Sequence, residues 1–265
     1  MKKLLVSVLI IISMIASPMA IAASSAPLVD TAKLEDGIVT LSYSADARLK
    51  VIVEKDGQQM IYDLRNDGKA ESFPLQMGNG SYNISILENV IDKKYKYITT
   101  KQVELELDDE KKVFLTSIQN IYWNDSMDAI AKADEITKGL KSDNAKIKAV
   151  YDYIINNVDY DYSKISTLPS NYVPNIDNTI ASGKGICYDY SSLFAAMLRS
   201  RGIPVKLVKG YSKNVNGYHA WNEVYDSEAG KWITLDTTYD AELKAAGRAY
   251  SMIKETAHYS KVFEY

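Results

Sequence analysis

Apolar and polar residues alternate with a period of two through the first part of the chain. Val39, Leu41 and Tyr43 do so, followed by Leu49, Val51 and Val53, then Met60, Tyr62 and Leu64. Tyr82, Ile84 and Ile86 continue the pattern, and Val103, Leu105 and Leu107 close it. Such alternation sends every second side chain to one face, as in a half-buried strand. Turn formers separate the runs: Asp56-Gly57, Asn66-Asp67-Gly68 and Gly78-Asn79-Gly80. Short strands at this spacing predict a small all-β, immunoglobulin-like sandwich over residues 24–114. Nothing in it carries chemistry, so a spacer or binding role is expected.

The period then changes. Asn124-Asp125-Ser126 is expected to cap a helix over 127–140, and Ser142-Asp143 a second one. In the second, Ile147, Val150, Tyr151, Ile154 and Val158 recur at spacings of three and four, an apolar helical stripe. Residues 163–185, with Pro169, Pro174 and several Asn and Ser, read as a long irregular loop, either a lid or a linker. Tyr190, Leu193, Phe194, Met197 and Leu198 make a third stripe, ended by Gly202 before Ile203-Pro204. Gly217 to Tyr225 and Lys231 to Asp236 read as two strands joined by a turn. If Tyr225 faces Gly230, His219 faces Asp236 on the same side of the hairpin. Helical stripes and strands thus both occur within residues 115–265, which are taken as a second domain.

The ends and the composition narrow the class. Lys2-Lys3, an apolar run from Leu4 to Ile15, and Ala20, Ala22 and Ala23 match the three parts of a secretory signal peptide, so residues 1–23 are expected to be removed on export. The apolar run is too short for a comfortable bilayer span, so no stable membrane anchor is expected. The net charge is −3 with the two signs well mixed, which argues against a nucleic-acid partner. With a single Cys, an exported chain has no internal disulfide, and a lone thiol in an oxidising compartment calls for a use. One Cys and two His without close spacing do not make a metal site, and no cofactor is expected. The 20 Tyr and 3 Trp could serve carbohydrate binding, but most fall at core or strand positions.

Cys187 precedes the third apolar stripe, at the start of that helix. Unpaired N–H groups and the positive end of the helix dipole stabilise a thiolate there and can donate to an oxyanion. A merely structural cysteine would sit within the stripe. Of the two histidines, His219 lies in a strand whose partner strand ends at Asp236, and an Asp beside a His orients the ring and supports an imidazolium. His258 has no comparable setting and reads as an exposed histidine. Taken singly, each of Cys187, His219 and Asp236 has an ordinary structural explanation; the combination is far more specific.

Four segments, Gly185-Ile186-Cys187-Tyr188-Asp189-Tyr190-Ser191, Arg201-Gly202-Ile203-Pro204-Val205, Gly217-Tyr218-His219-Ala220-Trp221-Asn222-Glu223 and Leu235-Asp236-Thr237-Thr238, resemble the core of the transglutaminase-like, papain-related superfamily in the same order. The resemblance implies an α+β papain-like core, a helix bearing the cysteine packed on an antiparallel sheet. It implies Cys187 as nucleophile, His219 as general base and acid, and Asp236 as its orienting partner. It also places Trp221 near the site, with Tyr188 and Tyr218 as further lining residues; the second oxyanion donor stays open. The expected activity is acyl transfer from an amide through a thioester, with water (peptidase or amidase) or an amine (transamidase) as acceptor. Extracellular protein or cell-wall peptides are the expected substrates. The competing reading is a catalytically silent binding or adhesion protein.

Overall fold

In the computed structural model, which describes residues 28–169 and 171–265, the five alternating runs fall on five of the seven strands of the first half. The signal-peptide segment 1–23 lies outside the described residues. The strands are β1 (Val29–Asp30), β2 (Ile38–Leu41), β3 (Leu49–Lys55), β4 (Gln58–Leu64), β5 (Glu71–Pro74), β6 (Gly80–Ile91) and β7 (Lys94–Leu105). Asp56 and Gly57 both take positive φ, 51° and 78°, so the β3–β4 hairpin closes in two residues with Lys55 facing Gln58. One antiparallel sheet has the order β1-β2-β5 and the other β4-β3-β6-β7. Alternating residues Val39 and Leu41 from the first sheet, and Val51, Val53, Tyr82, Ile84 and Ile86 from the second, join Phe73 in one hydrophobic cluster.

The second half begins with two helices, α1 (Asp128–Thr137) and α2 (Asp143–Asn157). Ser142 caps α2 by accepting from the Ala145 N–H at 3.2 Å, and the stripe Ile147, Val150, Tyr151 and Ile154 is buried. The expected cap of α1 is different. Asn124 turns its side-chain oxygen onto Ser126, and Met127 at the N-cap makes no side-chain bond. The Ala129 N–H is taken instead by Asp177, 48 residues on, at 2.9 Å. A tertiary contact thus replaces a local one.

The stretch 163–185 is not one irregular loop, which corrects the reading from composition. After β8 (Asp159–Tyr160) it holds a 3-10 turn (Lys164–Thr167), then α3 (Ile176–Ser182) and β9 (Lys184–Gly185), which pairs in parallel with β8. The Asn and Ser that suggested a loop include the helix cap: Asn175 accepts from Asn178 N–H at 3.0 Å, and Gly183 closes α3 with φ +61°.

The centre is α4 (Cys187–Arg199), whose residues from Asp189 to Arg199 are all buried. It lies against a five-stranded antiparallel sheet of order β13-β12-β11-β10-β14. These strands are β10 (Val205–Ser212), β11 (Val215–Asp226), β12 (Lys231–Leu235), β13 (Ile253–Lys254) and β14 (Tyr259–Glu264), with α5 (Thr237–Ala245) between β12 and β13. A helix buried all round must satisfy its polar residues internally. Ser192 donates to the Asn120 carbonyl at 3.0 Å, and the Ser191 carbonyl accepts from the Asn222 amide of β11 at 3.0 Å. None of the described helices is long and apolar enough to cross a membrane.

Gly210 shows how tightly the sheet is closed beside the histidine strand. It pairs with His219, and a Cβ built there would stand 2.1 Å from the Ser260 carbonyl oxygen of β14 and 3.0 Å from the Trp221 ring. The backbone oxygen cannot give way as a side chain can. Gly210→Ala is expected to push β14 outward and to destabilise by at least about 1–3 kcal/mol, as overpacking does. An unchanged denaturation midpoint in urea would contradict this packing.

Candidate active site

Cys187 is the first residue of α4, so its amide N–H is among those that a helix start leaves without an intrahelical partner. Asp189, fully buried two residues on, accepts from the Ile186 N–H at 2.9 Å and so ties the entry of the chain to the helix. Its carboxylate is held in turn by Lys164 at 2.7 Å and by the Tyr172 hydroxyl. Gly185 must lack a side chain, because a Cβ there would meet that of Asp189 at 2.7 Å.

His219 and Asp236 meet as expected, although the hairpin register differs. Tyr225 faces Trp232, not Gly230, and Asp226 faces Lys231. The physical cause is local. Asp226 accepts from Glu228 and Ala229 N–H, both at 3.0 Å, and Gly230 takes φ +64°, so Ser227 to Gly230 form the turn. The slip is of two residues, which preserves the face. Extending the observed register puts Asp236 opposite Trp221 and diagonal to His219. The His219 Nε2 lies 2.8 Å from Asp236 Oδ2, which leaves Nδ1 for the thiol.

The pair is almost wholly enclosed, with 3% and 0% of the side chains exposed. Burial by itself lowers the His219 pKa, but the adjacent Asp236 carboxylate outweighs it, and Cys187 adds hydrogen bonding and charge; the net result is a rise to about 10. The imidazole is therefore poised as a cation between the Asp236 side chain and the Cys187 sulfur. Asp236 is itself fixed: Oδ1 accepts from the Tyr239 N–H at 3.0 Å as the cap of α5, and Oδ2 also accepts from the Tyr259 hydroxyl at 3.0 Å. Trp221 lies against this group, stacked 6.3 Å from the His219 ring and tilted 5.0 Å from that of Tyr259.

Of the other expected residues, Tyr188 packs edge-on against Tyr172 at 6.2 Å, beside the start of α4. Tyr218 is about half exposed and packs edge-on against Tyr211, and among the described residues no contact joins it to the three central side chains. His258 pairs with Glu255 at 3.2 Å, away from them. Asp189, Tyr172, Lys164 and Tyr259 were not singled out from the sequence. An acid in the first turn of a helix is a legible capping signal and could have marked Asp189. Nothing local marks the other three. Among the described residues no three His, Cys, Asp or Glu side chains gather as a metal site would require.

A cleft of about 920 Å³ opens alongside, lined by Tyr160, Tyr162, Tyr190, Asn214, Tyr239 and Glu242 among others. Cys187, His219 and Asp236 do not line it; Tyr239, which does, donates its backbone N–H to Asp236. Tyr160 faces Gly185 in the β8–β9 ladder; burial raises its phenol pKa, and the nearby Cys187 charge raises it further.

A buried cysteine helix against an antiparallel sheet, with a His–Asp pair beside the cysteine, defines a papain-like core. Residues 130–237 match the sequence model of the transglutaminase-like superfamily, so this segment of the chain is a transglutaminase-like domain. Among curated relatives, the uncharacterized protein YebA of Bacillus subtilis is 36% identical over 110 residues, which cover 35% of this chain and 15% of YebA. The uncharacterized protein ML0607 of Mycobacterium leprae is 28% identical over 153 residues, covering 48% of this chain and 54% of that one. The chain thus spans no more than about half of either relative. A candidate cysteine protease from Cytophaga hutchinsonii superposes with a TM-score of 0.44 at 18% identity, over 76% of this chain and 72% of that one.

Proposed function

We propose that the protein is an exported acyl-transfer enzyme in which Cys187, His219 and Asp236 act together on amide bonds. The observation that carries this reading is the buried His219–Asp236 pair beside a thiol at a helix start. In the first step the Cys187 thiolate attacks the carbonyl carbon, a C–S bond forms, and the C=O π pair moves onto oxygen. The Cys187 amide N–H, left free at the helix start, donates to that oxyanion, and Tyr160, which feels the Cys187 charge, is assigned as the second donor. On collapse the C–N bond breaks, His219 protonates the departing amine, and a thioester remains. His219 then takes a proton from water, or from an incoming amine, as that acceptor bonds to the thioester carbon; the C–S bond breaks, the acyl product leaves, and the Cys187 thiolate is regenerated beside the imidazolium. Water is the default acceptor because it is always present at high concentration. Peptides of extracellular proteins or of cell walls fit an exported enzyme with a polar, tyrosine-lined cleft.

The N-terminal strands are an accessory immunoglobulin-like domain over 24–114, and residues 115–265 the catalytic one. The strand orders 1-2-5 and 4-3-6-7 support that division. A silent binding protein is disfavoured by the thiol being kept next to an imidazole rather than lost.

The test is the rate of Cys187 alkylation by iodoacetamide against pH. Because the His219 pKa is raised, the imidazolium persists through neutral pH, and wild type is expected to label rapidly and almost evenly from pH 6 to 8. His219→Ala is expected to label only as pH approaches that of an ordinary thiol, about 8.5. Identical profiles for the two proteins would rule out the thiolate–imidazolium pair.

A further inference from the structure

Lysines around the site come in two kinds. Lys164 pairs with Asp189 at 2.7 Å, Lys206 with Glu264 at 3.0 Å, Lys254 with Asp240, and Lys261 with Glu223 at 2.9 Å and with Glu264. Lys209 has no charged partner among the described residues. It lies on β10 across from Ala220, immediately before Gly210, the partner of His219. Its Nζ stands 3.5 Å from the ring centroid of Tyr188, the residue after the nucleophile, and 5.2 Å from that of Tyr265. No described carboxylate, hydroxyl or carbonyl lies within hydrogen-bond distance. Aromatic faces attract a cation, but they do not supply the acceptors an ammonium has in water. Burial pulls Lys209 down to about 8, and the charge of Cys187 acts in the opposite direction. The thiolate is thus the anion whose charge Lys209 feels, and that charge disappears once the sulfur is acylated.

We infer that Lys209 is a substrate-recognition cation: it takes a carboxylate carried by the substrate close to the bond attacked by Cys187, so the preferred substrates are peptides with an acidic side chain or a free carboxyl terminus at that position. This rests on the reading of Cys187 as nucleophile. The carboxylate accepts from the Lys209 ammonium and balances its charge in the acylated enzyme. An uncharged analogue leaves the cation unmatched, which is the usual source of strong discrimination at a site built for a polar group.

Iodoacetate and iodoacetamide alkylate the same sulfur and differ in one negative charge, so the ratio of their rates reads recognition of the anion separately from thiol reactivity. At pH 6.5 the ratio in full-length wild type is expected to exceed that in Lys209→Met at least fivefold, with Lys209→Arg close to wild type. Lys209→Gln serves as a second neutral variant should the methionine protein fold poorly. The wild-type ratio is expected to fall as pH rises through about 8, where Lys209 loses its charge, and the neutral variants lack that step. A ratio unchanged in both neutral variants overturns the inference. Equal slowing with both reagents gives an unchanged ratio and would make Lys209 a support of the thiolate alone. If wild type reacts rapidly with neither reagent at pH 6.5, the nucleophile assignment itself fails, a different result from an unchanged ratio.

Discussion

Replacing Cys187 by alanine is expected to remove amide-bond chemistry altogether while leaving the fold intact. In the proposed mechanism the sulfur forms the covalent bond, and neither His219 nor Asp236 can substitute for it. In hydrolases whose nucleophile and base act as a unit, loss of the nucleophile costs on the order of 10⁶ in turnover. The structural cost is small because Cys187 is the first residue of α4 and only partly buried, and alanine is a good helix former. The His219–Asp236 bond and the Tyr259 contact do not involve the sulfur. The measurement pairs turnover of peptide substrates with thermal unfolding. Residual activity above about a thousandth of wild type would show that another group carries the reaction. A lost cooperative transition would show that the cysteine was structural.

Arg199 is expected to have the largest effect on stability of any single polar residue. It ends the helix that Cys187 begins, is buried, and among the described residues has no carboxylate side chain to pair with. Its guanidinium donates instead to three carbonyls from three segments. Nε and one terminal nitrogen reach Val205 at 2.9 and 2.6 Å, and the terminal nitrogens also reach Thr116 and Tyr265, both at 2.8 Å. These contacts join the end of α4 to β10, to the link from the N-terminal sheets, and to the residue after β14. Arg199→Met would leave those acceptors unpaired in the interior, at about 1–3 kcal/mol each where water does not enter, so a loss of about 3 kcal/mol or more is expected. Arg199→Lys is expected to recover little of it, because one ammonium lacks the planar fork that spans separate acceptors. Urea unfolding checks both. A loss below about 1 kcal/mol would mean that the carbonyls find other donors.

The strands of the N-terminal half were legible because one of their faces is buried, and burial is what imposes alternation on a sequence. Leu49, Val51 and Val53, and Tyr82, Ile84 and Ile86, are the residues that the fold encloses. The α2 and α4 stripes were legible for the same reason, at the helical period. The cap of α1 was not, because Asp177 reaches it from a distant helix, and no local rule describes that contact. The segment 163–185 misled because Asn and Ser mark loops and helix caps alike. The two-residue slip in the β11–β12 hairpin had a visible cause in Asp226 and Gly230, yet their turn competes with others of similar length.

The sequence by itself determined the kinds of element, the cysteine at a helix start, and the His and Asp on neighbouring strand ends, because each follows from short-range periodicity and turn chemistry. Only the tertiary structure decided how those groups are held. Tyr259 comes from the last strand, beyond the stretch that matches the superfamily, and still supplies the second donor to Asp236 Oδ2. Lys164 and Tyr172 come from the segment before Cys187 and converge on Asp189. Lys209 owes its isolation to the absence of an acceptor around it, which no residue in its own strand reveals. Contacts between residues far apart in sequence leave no period to read; they exist only once the sheet has closed around α4.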